Sequence, residues 1–317
     1  RLGVNAGDAI ASGGNYNVVV GDEAGTAITT GDNNVAVGFD AGKASTTAAQ
    51  NVLIGSGAGD SGTTFYNNVA IGYLALSADT LGSNNVAIGK SALAAQNFTS
   101  STDANNVAIG SNAGAAVTTG VLNTLVGGLA GDALTVGNSN VAVGTLALSA
   151  DTKGDQSVAI GNNALTAQNF TTSVDTYNVA VGAEAGNDIT TGVRNVIMGG
   201  RAGHKLTDAD HNTAIGDQAI TTDTLGSKST AVGSGALATQ NFTTATDSLN
   251  TAVGYYAGVA ITTGRANTLL GATSGASLTS GDDNVLIGYG SNIHGATGVN
   301  QITIGVGITA SGNNNFA

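Results

Sequence analysis

A glycine returns through this chain at a nearly fixed interval, each time closing a short apolar run: "NNVAVGFDAG" at 33–42, "NNVAIGYLAL" at 67–76, "NNVAIGKSAL" at 84–93 and "NNVAIGSNAG" at 105–114. These glycines stand at 3, 21, 38, 55, 72, 89, 110, 127, 144, 161, 182, 199, 216, 233, 254, 271, 288 and 305. Thirteen of the seventeen spacings are 17 residues, three are 21 and the first is 18. The long spacings, 89 to 110, 161 to 182 and 233 to 254, are themselves 72 residues apart, so a second period of 17 + 17 + 17 + 21 = 72 overlies the first. Repeat therefore fills residues 1–317 as a single domain, with 72-residue super-repeats at 110–181 and 182–253. A unit this short has no room for a strand–helix–strand crossover, and each is expected to form one coil of a parallel β-solenoid, or β-roll. Eighteen such coils, stepped about 4.8 Å apart, would make an all-β rod on the order of 80 Å long.

Position by position, the unit states its own constraints. Four places before the glycine stands Asn in fourteen of seventeen units; beyond Asn17 these are Asn34, Asn51, Asn68, Asn85, Asn106, Asn123, Asn140, Asn178, Asn195, Asn212, Asn250, Asn267 and Asn284. Ser157, Ser229 and Gln301 replace it, all able to hydrogen-bond. Stacked amides of this kind form ladders that punish any slip in register. The three residues between the ladder position and Gly, such as Val35-Ala36-Val37 and Val52-Leu53-Ile54, are Val, Ile, Leu, Met or Ala with an occasional Thr, and so carry no charged group or amide. A strand wetted on one face would alternate apolar with polar, so both faces of this one are expected to be buried. One face can point into the coil. Nothing else in the unit covers the other, which predicts that three chains intertwine as a homotrimer.

The residue before each glycine is expected to line the coil interior, together with a pocket filled by exchange. Where Gly stands four after the closing glycine, an aliphatic stands seven after, as in Gly25 with Ile28 and Gly114 with Val117. Where Leu or Ile stands there, the later residue is polar: Leu76 with Asp79, Leu93 with Gln96, Leu148 with Asp151, Leu165 with Gln168. Fourteen units obey the exchange, and those at Gly38, Gly55 and Gly288 do not. Conserved volume explains the pairing. The polar partners are then expected to bulge outward and to be more exposed than Ile28 or Val117.

Composition agrees with a rod better than with a globule. Aromatics are 4% of the 317 residues and charged groups 9%, Gly numbers 49, and Pro, Cys and Trp are absent, which leaves little bulk for a globular core. A net charge of −12 argues against nucleic acid as a partner. No apolar run approaches the roughly 18 residues of a membrane helix, so no membrane insertion is expected of this segment. The chain opens at Arg1 in mid-pattern, as a piece of something longer would.

Chemistry is sparse. No nucleophile–base pair, phosphate loop or carboxylate dyad can be made out, and neither an enzyme nor a cofactor is expected. His204, His211 and His294 are the only histidines, the first two at different phases of the repeat, so no metal site is expected. Asp79, Asp151 and Asp223, and likewise Asp103, Asp175 and Asp247, recur every 72 residues. Their oxygens would suit calcium, but "SADTLG" reads equally well as a turn. The "QNFT" insertions at 96–99, 168–171 and 240–243 are formal glycosylation acceptors and bring in Phe98, Phe170 and Phe242. Each Phe is either a surface contact for a cell-surface glycan or protein receptor, or a lid folded onto its own coil. "ITTG" stretches raise ice binding as a further alternative, although Ser, Ala and Asp interrupt the Thr array.

"NNVAIGKSAL", "NNVAIGSNAG" and the terminal "IGVGITASGNNNFA" resemble the head repeats of trimeric autotransporter adhesins, and "TTGVLNTLVGGLAG" (118–131) with "TTGRANTLLGATSG" (262–275) resembles phage tail-fibre and tailspike shafts more closely. The resemblance covers essentially the whole chain. It implies left-handed parallel β-rolls in which three chains wind round one axis. It also implies an extracellular setting, on a virion tail fibre or a cell surface. The expected function is a rigid structural rod for host attachment, with a bacterial adhesin head or surface filament as the alternative.

Overall fold

The computed structural model describes residues 2–313; the last four residues of the terminal "IGVGITASGNNNFA" stretch lie outside the described residues. Every named element is a strand, and no helix occurs among the described residues. Contacts divide the chain into two compact units. One runs to Ser157 and takes in Asn169–Asp175; the other comprises Val158–Gln168 and the chain from Thr176 onward.

Within each unit the chain is a parallel β-solenoid. Eight three-residue strands, from Val18–Val20 to Val141–Val143, belong to the first, and nine, from Val158–Ile160 to Ile302–Ile304, to the second. Each pairs with the equivalent residues one coil on, so that Val35 faces Val52, Ala36 faces Leu53 and Val37 faces Ile54. The 21-residue coils keep this register, with Val86 opposite Val107 and Thr230 opposite Thr251. Seventeen full strands account for all but the first glycine-marked unit, which contributes only a lone bridge from Leu2 to Val20. Each long coil adds a second two-residue ladder, for example Gly82–Ser83 with Thr102–Asp103.

The closing glycines are obligatory. Their φ lies at +125° in Gly21 and +138° in Gly72, a region L side chains rarely enter. A Cβ on Gly72 would also stand 2.5 Å from the carbonyl oxygen of Gly89 in the next coil. Only glycine lets successive corners stack at strand spacing.

The strand turns its centre inward, contrary to the expectation that the residue before the glycine lines the interior. Leu53, Ile197 and Leu269 are at most 1% exposed, whereas their neighbours Ile54, Met198 and Leu270 are 37–47% exposed. Side chains alternate along a strand, and the coil is narrow, so a three-residue strand sends one side chain in and two out. The outward pair is the uncovered face of the single chain.

The exchange of volume between the fourth and seventh positions is real, since a Cβ on Gly25, Gly131 or Gly186 would meet Ile28, Leu134 or Ile189 at 2.8–2.9 Å, and the strand centre takes part in it as well. Leu76, Leu93, Leu148, Leu165, Ile220 and Leu237, four after a glycine, are all fully buried, and each shares its unit with Ala at the strand centre. Where the strand centre is Leu53, Leu125, Ile197 or Leu269, the fourth position is Gly. The reason is contact: a Cβ on Gly42 or Gly59 would meet the two methyls of Leu53 at 2.7 and 2.8 Å, and one on Gly114 or Gly131 would meet those of Leu125 at the same distances. One large strand residue thus fills the interior of two adjacent coils. The Gly55 unit, outside the simple exchange, is completed by the fully buried Phe65 lying over Gly62.

The polar residues seven after the glycine do not bulge outward. Asp79, Gln96, Asp151 and Gln168 are all 0% exposed, as deep as Ile28 and Val117. They stay inside because the 21-residue coils supply hydrogen-bond partners for them there.

Candidate interaction surface and the buried polar columns

No cleft or cavity opens in the described residues, and no three of His, Asp or Glu gather as a metal-ion group among them. Three sets of columns matter: the Asn ladder, the buried Asp–Gln pairs, and the two outward rows of the strand.

Each ladder Asn is tied to the coils on both sides. In the first unit the backbone N–H of Asn51 donates to Asn34 Oδ1 at 3.1 Å, that of Asn68 to Asn51 at 3.0 Å and that of Asn85 to Asn68 at 2.9 Å. The series continues through Asn106, Asn123 and Asn140. In the second, Asn195 and Asn212 follow Asn178, while Asn267 and Asn284 follow Asn250. The amide nitrogen serves its own coil's corner: Asn34 Nδ2 donates to the carbonyl of Ala48 and Asn123 Nδ2 to that of Gly137. The ladder is therefore mainly side chain to backbone. Amide-to-amide bonds, such as Asn51 Nδ2 to Asn34 Oδ1 at 3.0 Å, accompany it. Each ladder amide nitrogen finds an acceptor, which is what permits these Asn side chains to be buried.

Asp79 and Gln96, on adjacent coils, form a second buried column. Gln96 Nε2 donates to Asp79 Oδ2 at 2.6 Å, and Asn106 Nδ2 donates to Gln96 Oε1 at 2.9 Å. The other Asp79 oxygen accepts the N–H of Gly82 at 2.9 Å and faces that of Phe98 at 3.5 Å. The same arrangement recurs with Asp223, Gln240, Asn250, Gly226 and Phe242. Asp151 likewise accepts from Gly154 and Phe170. Burial pushes the Asp79 carboxyl above its usual range, against the pull of the Gln96 amide and the Gly82 and Phe98 N–H groups. Both Asp79 oxygens accept from N–H donors, and the carboxylate is fully buried.

The phenylalanines of the insertions lie inside. Phe98, Phe170 and Phe242 are only 6–7% exposed, so they present no aromatic surface to a receptor. Their place is next to the buried carboxylates: a Cβ on Gly82 would come 2.8 Å from the Phe98 ring and 2.2 Å from Asp79. Each insertion thus delivers a backbone N–H to the Asp and a ring that covers it. The intervening Asn97, Asn169 and Asn241 remain exposed. Of the histidines, His204 is 8% exposed with Nε2 3.4 Å from Glu184 Oε2, and His211 is exposed on another column. Asp247 pairs with Lys228, and Asp175 accepts from Gln156, both at the surface.

The outward strand rows form a continuous half-buried to exposed apolar stripe within each unit. Across seventeen strands, their first and third positions hold only Val, Ile, Leu, Met and Thr, with Thr at five of the first positions. No charged group or amide enters either row. Columns beside them do carry charge: Asp22, Lys90 and Asp217 stand one after the closing glycine, and Arg194 and Lys228 stand one before the ladder position. Sequence reading identified this stripe as apolar but not which of its residues face outward; the size at the strand centre, Ala wherever the fourth position is Leu or Ile, was the available signal. No helix of the described residues is long and apolar enough to cross a membrane. No family model matches the chain, and no curated protein matches it.

Proposed function

We propose that the chain is a segment of an extracellular fibre, the shaft of a phage tail fibre, and that three copies pack their outward strand rows together around a common axis. The observation that carries this reading is the contrast between rows. Two rows free of charge for the full run of strands, flanked by columns that accept Asp and Lys, are the pattern of a surface covered by protein. The cover must repeat at the same spacing as the strands. A second copy of the same chain, parallel and in register, meets that requirement at every coil. A stripe only two side chains wide suits cyclic closure, in which each chain touches two neighbours. The threefold order follows the resemblance to tail-fibre shafts.

The work of such a segment is reach and attachment. Coils whose backbone groups are bonded above and below leave few exposed edges for proteases or stray strands, which suits a rod outside the cell. Light scattering on the purified chain tests the reading. The expected mass is three times the 30.6 kDa of one chain, at all concentrations down to micromolar. Ile109→Lys with Val126→Lys places charges in the third-position row and is expected to yield a monomer with an unchanged circular-dichroism spectrum. A wild-type chain that stays monomeric at high concentration would reject the proposal.

A further inference from the structure

One exposed column carries aromatics in a pattern that packing does not require. The residue following each closing glycine lies outside the coil, and its carbonyl continues the inter-coil ladder, as where Gly57 N–H donates to Phe39 O at 2.9 Å and Ser91 N–H to Tyr73 O at 2.9 Å. In the first unit this column reads Phe39, Ser56, Tyr73 on successive coils; in the second it reads Tyr255, Ala272, Tyr289. The four rings are 54–64% exposed. Both triplets occupy the same phase of the super-repeat, since 255 − 39 and 289 − 73 both equal 216, three times 72. The two super-repeats between them have Ser111 with Thr145 and Ala183 with Asp217 at these phases, so the coil itself does not need a ring there. The residue between the rings is always small: Ser56, Gly128, Gly200, Ala272.

The rings are also set up rather than loose in the second unit. Tyr256 lies over Gly235, where a Cβ would strike its ring, and meets Tyr255 edge-on with centroids 4.3 Å apart and planes at 62°. Tyr256 therefore braces Tyr255. The column also accepts Asp22, Lys90 and Asp217, which marks it as a solvent-facing column of the chain.

We propose that Phe39 with Tyr73, and Tyr255 with Tyr289, are two stacking platforms for a linear β-1,4-linked hexopyranose chain lying along the coil axis. The match is one of spacing and shape. Two coil steps separate the rings of a pair by about 9.6 Å, close to the two-sugar repeat of an extended β-1,4 chain. In such a chain alternate sugars are turned over, so every second one offers the same flat C–H face. An aromatic ring stacks on that face and leaves the equatorial hydroxyls free. The intervening sugar passes over Ser56 or Ala272, where a bulky side chain would lift it off. An α-linked glucan coils and does not hold this spacing. The proposal gives the fibre segment a ligand class of its own, and rests on the fibre reading only in that the column remains uncovered in the assembly.

The test is isothermal titration of the intact chain with cellohexaose and chitohexaose, with maltohexaose as the α-linked control, and light scattering of the same samples. Two equivalents of a β-1,4 hexasaccharide per chain are expected, without binding of maltohexaose; the better of the two β-linked probes tells whether the acetamido group contributes. Phe39→Ala with Tyr73→Ala, or Tyr255→Ala with Tyr289→Ala, should each reduce the stoichiometry from two to one. All four together should abolish binding, with mass and circular dichroism unchanged. Absence of binding to both β-linked probes, equal binding of maltohexaose, or binding retained by the fourfold variant would each overturn the proposal. A monomeric mass with binding intact would instead count against the trimer alone.

Discussion

At the scale of single residues, the leucines four after the glycine show two costs in competition. Leu148 sits at φ +53° and Ile220 at +48°, left-handed conformations that side chains with a Cβ avoid by roughly 1–2 kcal/mol. Filling the interior outweighs that strain, because burying a leucine is worth about 1.5–3 kcal/mol, and an unfilled cavity adds to the loss on its removal. This balance inverts an ordinary expectation. Leu148→Ala opens a cavity and keeps the left-handed strain, with a cost of about 2–5 kcal/mol per chain. Leu148→Gly opens a slightly larger cavity but relieves the strain, for a smaller cost of about 1–3 kcal/mol. Urea denaturation of both variants checks the order; if alanine proves the milder substitution, strain at this corner is negligible. Asp79 has a different signature. Its folded carboxyl titrates above the ordinary range because burial disfavours the charge. The fold then binds a proton that the unfolded chain still lacks, so stability rises as pH falls through the raised folded value toward the ordinary carboxylate range, and levels off below it. Thermal melting across that window should show the rise, and Asp79→Asn should diminish it; a stability that falls over the same window would mean the N–H donors around the carboxylate prevail.

At the scale of one coil, what could be read in advance followed from hydrogen bonds and glycine conformation. The Asn ladder and the glycine corner admit few substitutes, so they recur visibly, and the strand they frame could be bounded to three residues, as in Val35–Val37. The facing of that strand was not legible from polarity. With Val, Ala and Val in sequence, alternation carries no sign, and only size distinguishes the buried Ala36 from the half-buried Val35 and Val37. Polarity misled at Asp79 and Gln96, which look like surface residues until Gly82, Phe98 and Asn106 are seen to satisfy them. The four extra residues of each long coil were visible, but their role was not. A Phe in a loop of small residues reads as a surface contact or as a lid on its own coil; it is the lid, and that the ring covers a carboxylate is what only the tertiary arrangement reveals. Phe39, Tyr73, Tyr255 and Tyr289, which do face solvent, lie in regular 17-residue coils.

At the scale of the molecule, two periods impose two separate rules, and deletions can satisfy one while breaking the other. The 17-residue step sets strand register, Asn ladder and glycine column. The 72-residue step sets which coils fill their interior from the strand centre and which from the fourth position. Removing residues 127–143 keeps every ladder in phase, joining Val126 to Gly144, but it places Leu125 and Leu148 in one coil, a combination that occurs nowhere in the chain. That coil is overfilled, at a cost of about 1–3 kcal/mol. Removing 38–109 takes out a whole super-repeat and joins Val37 to Gly110, so Ala36 meets Gly114 and the next strand centre is Leu125, the arrangement found at Gly42 and Leu53. In a linear repeat array, stability is a sum over coils and their neighbours, so a loss of four matched coils shortens the array without weakening its junctions. The shorter deletion is therefore predicted to be the more damaging locally. Hydrogen exchange should show full protection at the amides flanking the 38–109 splice. It should show lost protection in Thr124–Val126 and the adjoining strand after deletion of 127–143. Equal protection at both splices would mean that the interior accommodates either filling, and that the 72-residue period serves something other than packing.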